Sequence, residues 1–330
     1  MTAASPRFVF VEVTSTCNLR CGHCHLWQSV EPPDSLTTDE KVRLIDDLAG
    51  WVDRAVVVLT GGETMAKREE FFALSQACRR GGLSSSANTN GTFVDDATVP
   101  RLLEEGPKYL VLSLDSHRAE KFDRTRGNKG TFDAVTRAIR ALVAYRAAMP
   151  SCDVRIMTST VLFDENVSEV TDLVRFCREL GVDGMLFQPL ARTFGLRRRT
   201  DTFFDRHFPR DPAAWDGAVD QLLAMKSAGA PIETAVNDLN WMRLYGRDPD
   251  FVGEQVCGSA DRNMMVDQMG RVQLCFRMHD LLGGRFLGNV REQSLRELWT
   301  ADLAAEARGI MANCRQNCGM LNCHRRMEIG

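Results

Sequence analysis

Apolar and polar positions follow two alternating rhythms over the first 190 residues of the chain. Short apolar runs occur at Phe8–Val13, Ala55–Leu59, Tyr109–Leu114, Val154–Val161 and Gly184–Gln188, with a weaker one at Leu83–Asn88. Runs this short, bounded by turn residues, predict strands covered on both faces. Amphipathic stretches at helical spacing separate them. Val42, Leu44, Ile45 and Leu48 mark one, and Val167, Val170, Leu173, Val174, Cys177 and Leu180 another. Thr37 with Glu40 forms a capping box before the first, while Gly81-Gly82 and Gly181 stand where helices should stop. Six strand–helix units in series predict an α/β fold with a parallel sheet and right-handed crossovers, either doubly wound or a partial barrel. In both, chemistry gathers at the C-terminal ends of the strands.

The rhythm changes after residue 191. Residues 192–212 are rich in Arg, Asp, Phe and Pro without a clear period and read as a loop, and a helix is expected near Ala213–Ala228. From about Gln255 the chain becomes glycine-dotted and cysteine-rich. Met264–Asp267 and Gly270–Leu274 read as a β-hairpin with its turn at Gln268–Gly270, followed by the connector Gly288-Asn289-Val290 and a helix over Ser294–Trp299. The expected organisation is a core over 1–200, a connecting segment over 201–254 and a small unit over 255–330.

Composition narrows the class. Of the 330 residues, 44% are hydrophobic and 26% charged, and a net charge of −3 offers no electrostatic footprint for nucleic acid. Arg197-Arg198-Arg199 is balanced by acidic neighbours and reads as a solvated loop. No window approaches the roughly 18 apolar residues of a membrane span. The first strand begins so early that a signal peptide has no room, so a cytoplasmic location is expected. In that reducing compartment, eleven cysteines point to metal or catalysis rather than to disulfides. Cys78 and Cys177 lie on apolar helical stripes and are expected to pack in the core.

The other cysteines cluster. Cys17, Cys21 and Cys24 follow the first strand as C-x3-C-x2-C. Three thiolates this close can hold three corners of an iron–sulfur cubane and leave the fourth iron open; a zinc site completed by His23 or His25 is the alternative. The triplet, in this place, resembles the radical S-adenosylmethionine (SAM) superfamily, and the resemblance extends over the first 190 residues. Gly61-Gly62-Glu63 matches the family's turn after the second strand, although Thr64 stands where many members have proline. Asn90, Ser113 with Asp115, Arg126 and Asn166 match family positions at the ends of later strands, and Gln188 ends the sixth. The resemblance implies a partial (β/α)6 TIM-like barrel. It further implies a [4Fe–4S] cluster that chelates SAM and cleaves it reductively to a 5′-deoxyadenosyl radical, fed by an external donor such as flavodoxin or ferredoxin. Gly61, Gly62, Glu63, Asn90, Ser113, Arg126, Asn166 and Gln188 are then expected near SAM, and Asp115 is the first choice for a catalytic role.

Cys257, Cys275, Cys314, Cys318 and Cys323 form the second group. A hairpin and a C-terminal loop can bring four thiolates together, and a four-thiolate zinc knuckle would use similar spacings. With Gly270 and the Gly-Asn-Val … Leu-Trp segment, this part resembles the SPASM/twitch extension of radical SAM enzymes. That implies one auxiliary [4Fe–4S] cluster and one spare thiol. Such a cluster can take an electron from a substrate radical, which suits dehydrogenation; a thiol returning hydrogen would give epimerisation. The absence of a module ahead of the first strand favours a small polar substrate, such as a sugar, aminocyclitol or aminoglycoside-like natural-product intermediate, over a peptide. A non-enzymatic iron–sulfur or zinc protein is the reading from another class; the Gly61-Gly62-Glu63 turn speaks against it, since an electron carrier needs no SAM pocket. Among polar residues at strand ends, Glu12, Asp115, Gln188 and Asn237 are candidates to face substrate or SAM.

Overall fold

A computed structural model describes residues 5–149, 151–192, 202–250 and 258–314. Six strands, β1 (Phe8–Thr14), β2 (Val56–Gly61), β3 (Ser84–Thr89), β4 (Tyr109–Ser113), β5 (Arg155–Leu162) and β6 (Gly184–Pro189), pair in parallel and in chain order. The crossovers are α1 (Thr38–Trp51), α2 (Arg68–Arg80), α3 (Thr98–Glu104), α4 (Ala119–Arg126) with α5 (Thr131–Ala147), and α6 (Val170–Leu180). The Thr37–Glu40 capping box is formed, and Gly181 stops α6 in the left-handed conformation. β3 is the weakest apolar run because its sequence is SSSANT; Ser85 and Ala87 are nonetheless buried, small enough to fit beneath the helices. Cys78 and Cys177 pack in the core, where burial pushes both thiols up to about 12.

Two findings differ from the sequence reading. Residues 192–212 are not wholly loop, since α7 (Thr202–His207) lies within them, ahead of α8 (Pro212–Ser227) and α9 (Val236–Arg247). Asn237 accordingly sits in the first turn of α9 and not at a strand end. The C-terminal hairpin, β7 (Asn263–Val266) with β8 (Arg271–Gln273), continues the main sheet. β7 pairs in parallel with β1, and β9 (Gly288–Asn289) completes a nine-stranded sheet of order β6-β5-β4-β3-β2-β1-β7-β8-β9. A short α10 (Met278–Leu281), α11 (Leu295–Thr300) and α12 (Asp302–Ala312) follow. β1 is therefore central, and its end carries the first cysteine motif. Among the described residues no helix is long and apolar enough to cross a membrane.

Candidate active site

The loop after β1 carries Cys17, Cys21 and Cys24 at the C-terminal end of the sheet. Cys21 is buried, the other two are half-buried, and none is in a disulfide. Burial pushes the Cys17 thiol up to about 11; Glu63, Cys21 and Cys24 add to the rise and the Leu19 N–H opposes it. Cys24 is also raised, by burial first and by Cys21, against the Leu26 N–H and Arg126. Thiols held like this ionise when a metal supplies the positive charge.

Two side chains point at the sulfurs. Asn90 Nδ2 is 3.9 Å from Cys17 Sγ, and a guanidinium nitrogen of Arg126 is 3.8 Å from Cys21 Sγ. Arg126 is only 6% exposed, and its Nε–H has no partner among the described residues. An orphaned buried donor beside three thiols fits an anionic iron–sulfur cluster, whose sulfurs accept hydrogen bonds. Among the described residues no three His, Cys, Asp or Glu side chains converge as they would round a single ion. Thiolates of a cubane each hold a different iron, so their sulfurs stand further apart than zinc ligands do.

The glycine turn is built against this loop. The Gly62 N–H donates to the Thr14 carbonyl at 2.6 Å and the Glu63 N–H to that of Thr16 at 2.8 Å. A Cβ on Gly61 would stand 2.1 Å from the Thr14 oxygen, and one on Gly62 2.1 Å from that of Thr16. With those N–H groups spent, what the turn's backbone has left to offer a cation is carbonyl oxygens. Thr64, where proline is common, donates its hydroxyl to the Asn88 carbonyl at 2.9 Å and so ties the turn to β3.

Several residues expected near SAM or substrate are held by hydrogen bonds within the protein. Both Glu63 oxygens are engaged, by the Met65 N–H, the Thr89 hydroxyl and the Asn90 N–H at 3.0, 2.6 and 2.7 Å. Burial raises its proton affinity, and these donors with Arg126 oppose the rise. Asp115 does not reach the surface. It is fully buried, with Oδ2 accepting from Arg126 at 2.5 Å and Oδ1 from the Val161 N–H at 2.9 Å. Asn166 spends its amide on the carbonyls of Asp115 and Val161 and on the Phe163 N–H. Ser113 pairs with Ser159 in the β4–β5 ladder.

Gln188 does reach open space. It lines a cavity of about 510 Å³ together with Glu12, Thr60, Gly61 and Cys24 from the barrel side. Met265, Asp267, Gln273 and Phe276 line it from the hairpin. Asp267 and Phe276 were not singled out from sequence; Asp267 follows a strand directly, the position that marks the other candidates. Cys275 is buried just after β8, and Cys314 is half-buried after α12. Cys257, Cys318 and Cys323 lie outside the described residues.

Comparison with known proteins leads to the same chemistry. Residues 11–177 match the radical SAM superfamily, and residues 257–324 match SPASM, an iron–sulfur cluster-binding domain. The chain belongs to the radical SAM superfamily, with a SPASM domain at its C-terminal end. Its cofactors are accordingly a SAM-binding [4Fe–4S] cluster, SAM and an auxiliary iron–sulfur cluster. It is similar to the AdoMet-dependent heme synthase of Methanosarcina barkeri, at 31% identity over 309 residues that cover 89% of this chain and 82% of that protein. The mycofactocin maturase MftC of Mycobacterium tuberculosis is 28% identical over 319 residues, 93% of this chain and 76% of its own. Among solved structures, anSMEcpe with bound AdoMet superposes with a TM-score of 0.71 at 18% identity, covering 94% of this chain and 85% of that one, a likeness of fold.

Proposed function

We propose that the protein dehydrogenates a small polar substrate of the sugar, aminocyclitol or aminoglycoside-like kind, starting with removal of a carbon-bound hydrogen atom. The cavity carries this reading. At about 510 Å³ it suits a molecule of one or two rings. Its apolar floor is Phe10 against Phe276, ring centroids 5.3 Å apart. Glu12, Gln188, Gln273, His25 and Arg192 line it as polar groups suited to hydroxyls and amines.

Glu12 is the group placed to take a proton. Burial first, and then Asp267, raise its proton affinity, against the Gln268 N–H, Lys41 and Arg271; a carboxylate so raised is the stronger base. Asp267 is instead committed to Arg271, at 2.6 Å. When bound, SAM and the two clusters supply the hydrogen-atom acceptor and the electron acceptor. The chain positions the substrate, keeps water away and holds the departing proton on Glu12. Because Phe276 both follows Cys275 and lines the cavity, a substrate there would lie close to Cys275, the expected ligand of the auxiliary cluster, which supports loss of an electron over return of a hydrogen atom. A peptide side chain in the same cavity is the second reading, favoured by the likeness to a maturase. In the cell, a flavodoxin or ferredoxin would supply the electron.

The test is anaerobic turnover with dithionite, SAM and a panel of aminocyclitols and amino sugars deuterated at the carbinol carbon, run beside peptides. Deuterium should appear in 5′-deoxyadenosine and the product should lack two hydrogens. A product of unchanged mass with one centre inverted would make the enzyme an epimerase, and turnover of peptides alone would replace the small-molecule reading. Glu12→Gln should slow product formation by about 10²-fold or more while SAM cleavage persists. The wild-type rate should fall as pH drops through the raised Glu12 pKa, since the base must be ionised.

A further inference from the structure

Asn166, Asp115, Arg126 and Cys21 form one buried chain of contacts across four segments: the ends of β5, β4 and α4 and the loop after β1. Asn166, after β5, donates to the Asp115 carbonyl at 2.9 Å, and the Val161 N–H fixes Asp115 Oδ1 at the same distance. The remaining oxygen, Oδ2, accepts from one edge of the Arg126 guanidinium, whose other terminal nitrogen reaches Cys21 Sγ. The backbone enforces this approach. The Gly22 N–H donates to the Thr125 carbonyl at 2.9 Å. Gly127, at φ +74°, lets the end of α4 come so near that a Cβ there would stand 2.5 Å from the Arg20 oxygen.

As a stabilising device this is poor. A desolvated ion pair gives little net stability, and an unpartnered buried N–H is destabilising. Placed against a cluster, the same features have a use. A reduced cluster carries one more negative charge than an oxidised one. A fixed cation in a low-dielectric site therefore favours the reduced form, and donors to the sulfurs act in the same direction. Aspartate and thiolate hold different nitrogens of the guanidinium, so the pair presents its positive end to Cys21 while remaining neutral as a whole.

We propose that the Asp115–Arg126 pair sets the reduction potential of the cluster held by Cys17, Cys21 and Cys24, with Arg126 raising it and Asp115 orienting Arg126 and limiting the rise. This rests on the assignment of those cysteines to a [4Fe–4S] cluster. Both residues are positioning residues: the role requires no contact with substrate, and it is exerted before SAM binds.

The experiment is an EPR-monitored redox titration of the reconstituted full chain without SAM. The relevant signal is the one that Cys17/Cys21/Cys24→Ala lacks, and the auxiliary cluster serves as internal reference. In Arg126→Met the ratio of reduced to oxidised cluster at fixed potential should fall about tenfold, equivalent to about 59 mV for one electron. Arg126→Lys, which keeps the charge but not the fork, should lie between. Asp115→Asn should move the ratio the other way, since the cation stays and its counter-charge goes. Should Arg126→Met lose iron, Arg126→Lys and Asp115→Asn decide the matter. Potentials unchanged in variants that retain the cluster would overturn the proposal. A triple variant that loses no iron would instead overturn the cluster assignment beneath it.

Discussion

Lys41 shows what a single residue can hide. It stands in a helix whose first turn is acidic, next to Val42, where a lysine ordinarily reads as solvated. In the structure it is fully buried, and Nζ donates to the Val13 carbonyl at 2.8 Å and to Glu70 Oε1 at 2.5 Å. The Thr38 hydroxyl holds the other Glu70 oxygen at 3.1 Å. The pair thus joins α1 and α2 to the end of β1, just ahead of the cluster loop. Removing one partner leaves the other charge buried and alone, so Lys41→Met should cost about 3–5 kcal/mol. Lys41→Met combined with Glu70→Leu should recover most of that loss in thermal melts; a double variant no more stable than the single one would refute the account. The same lesson holds for Glu63, Asp115 and Asn166. Their importance is legible in the sequence because each follows a strand. Their partners are not, because the Thr89 hydroxyl for Glu63, Arg126 for Asp115 and the Asp115 carbonyl for Asn166 are set by tertiary approach rather than by spacing.

Elements with a local cause are the ones the sequence exposes. The six strands and α1, with its Thr37–Glu40 capping box, rest on apolar runs and a cap that short windows contain. α9 and the placement of β7 against β1 rest on packing with distant residues, and short windows miss them. One such contact joins the C-terminal part to α1. Arg291, just after β9, donates to both Glu40 oxygens at 2.7 and 3.1 Å and to the carbonyls of Asp34 and Ser35. Glu40 therefore serves as cap and as latch. Its hydrogen bonds from Arg291 first, and then from Thr37, hold its carboxyl down at about 2. With the folded pKa below the ordinary one, the latch contributes its stability above pH 4.5 and loses it as pH falls towards about 2. Arg291→Ala should lower the melting midpoint at neutral pH, and its gap from wild type should close across that window. A gap that stays constant down to pH 2 would show that Arg291 acts through packing alone.

At the scale of the whole molecule, β1 binds the two iron–sulfur regions into one body. On one side it pairs with β2, whose end forms the glycine turn, and on the other with β7, the strand that opens the auxiliary hairpin. Its register slips between Glu12 and Thr14, as a bulge beside a site does. Phe10 and Glu12, two residues apart, share the cavity face of the strand. The cavity thus has no complete wall without the C-terminal strands, which explains why a sequence divided into core and appendage shows two groups of cysteines but not the pocket. A chain ended after residue 250 would lack β7, leaving β1 with an open edge of unpaired N–H and C=O groups. Val9 and Val11, buried beneath the β7 contact, belong to that edge. Such a chain should collect in the insoluble fraction and hold no cluster after reconstitution, although all three cysteines of the first motif remain. A soluble product that binds about four irons and cleaves SAM would show that the barrel closes without its partner strand. The cavity, and the chemistry assigned to it, would then belong to the first six strands alone.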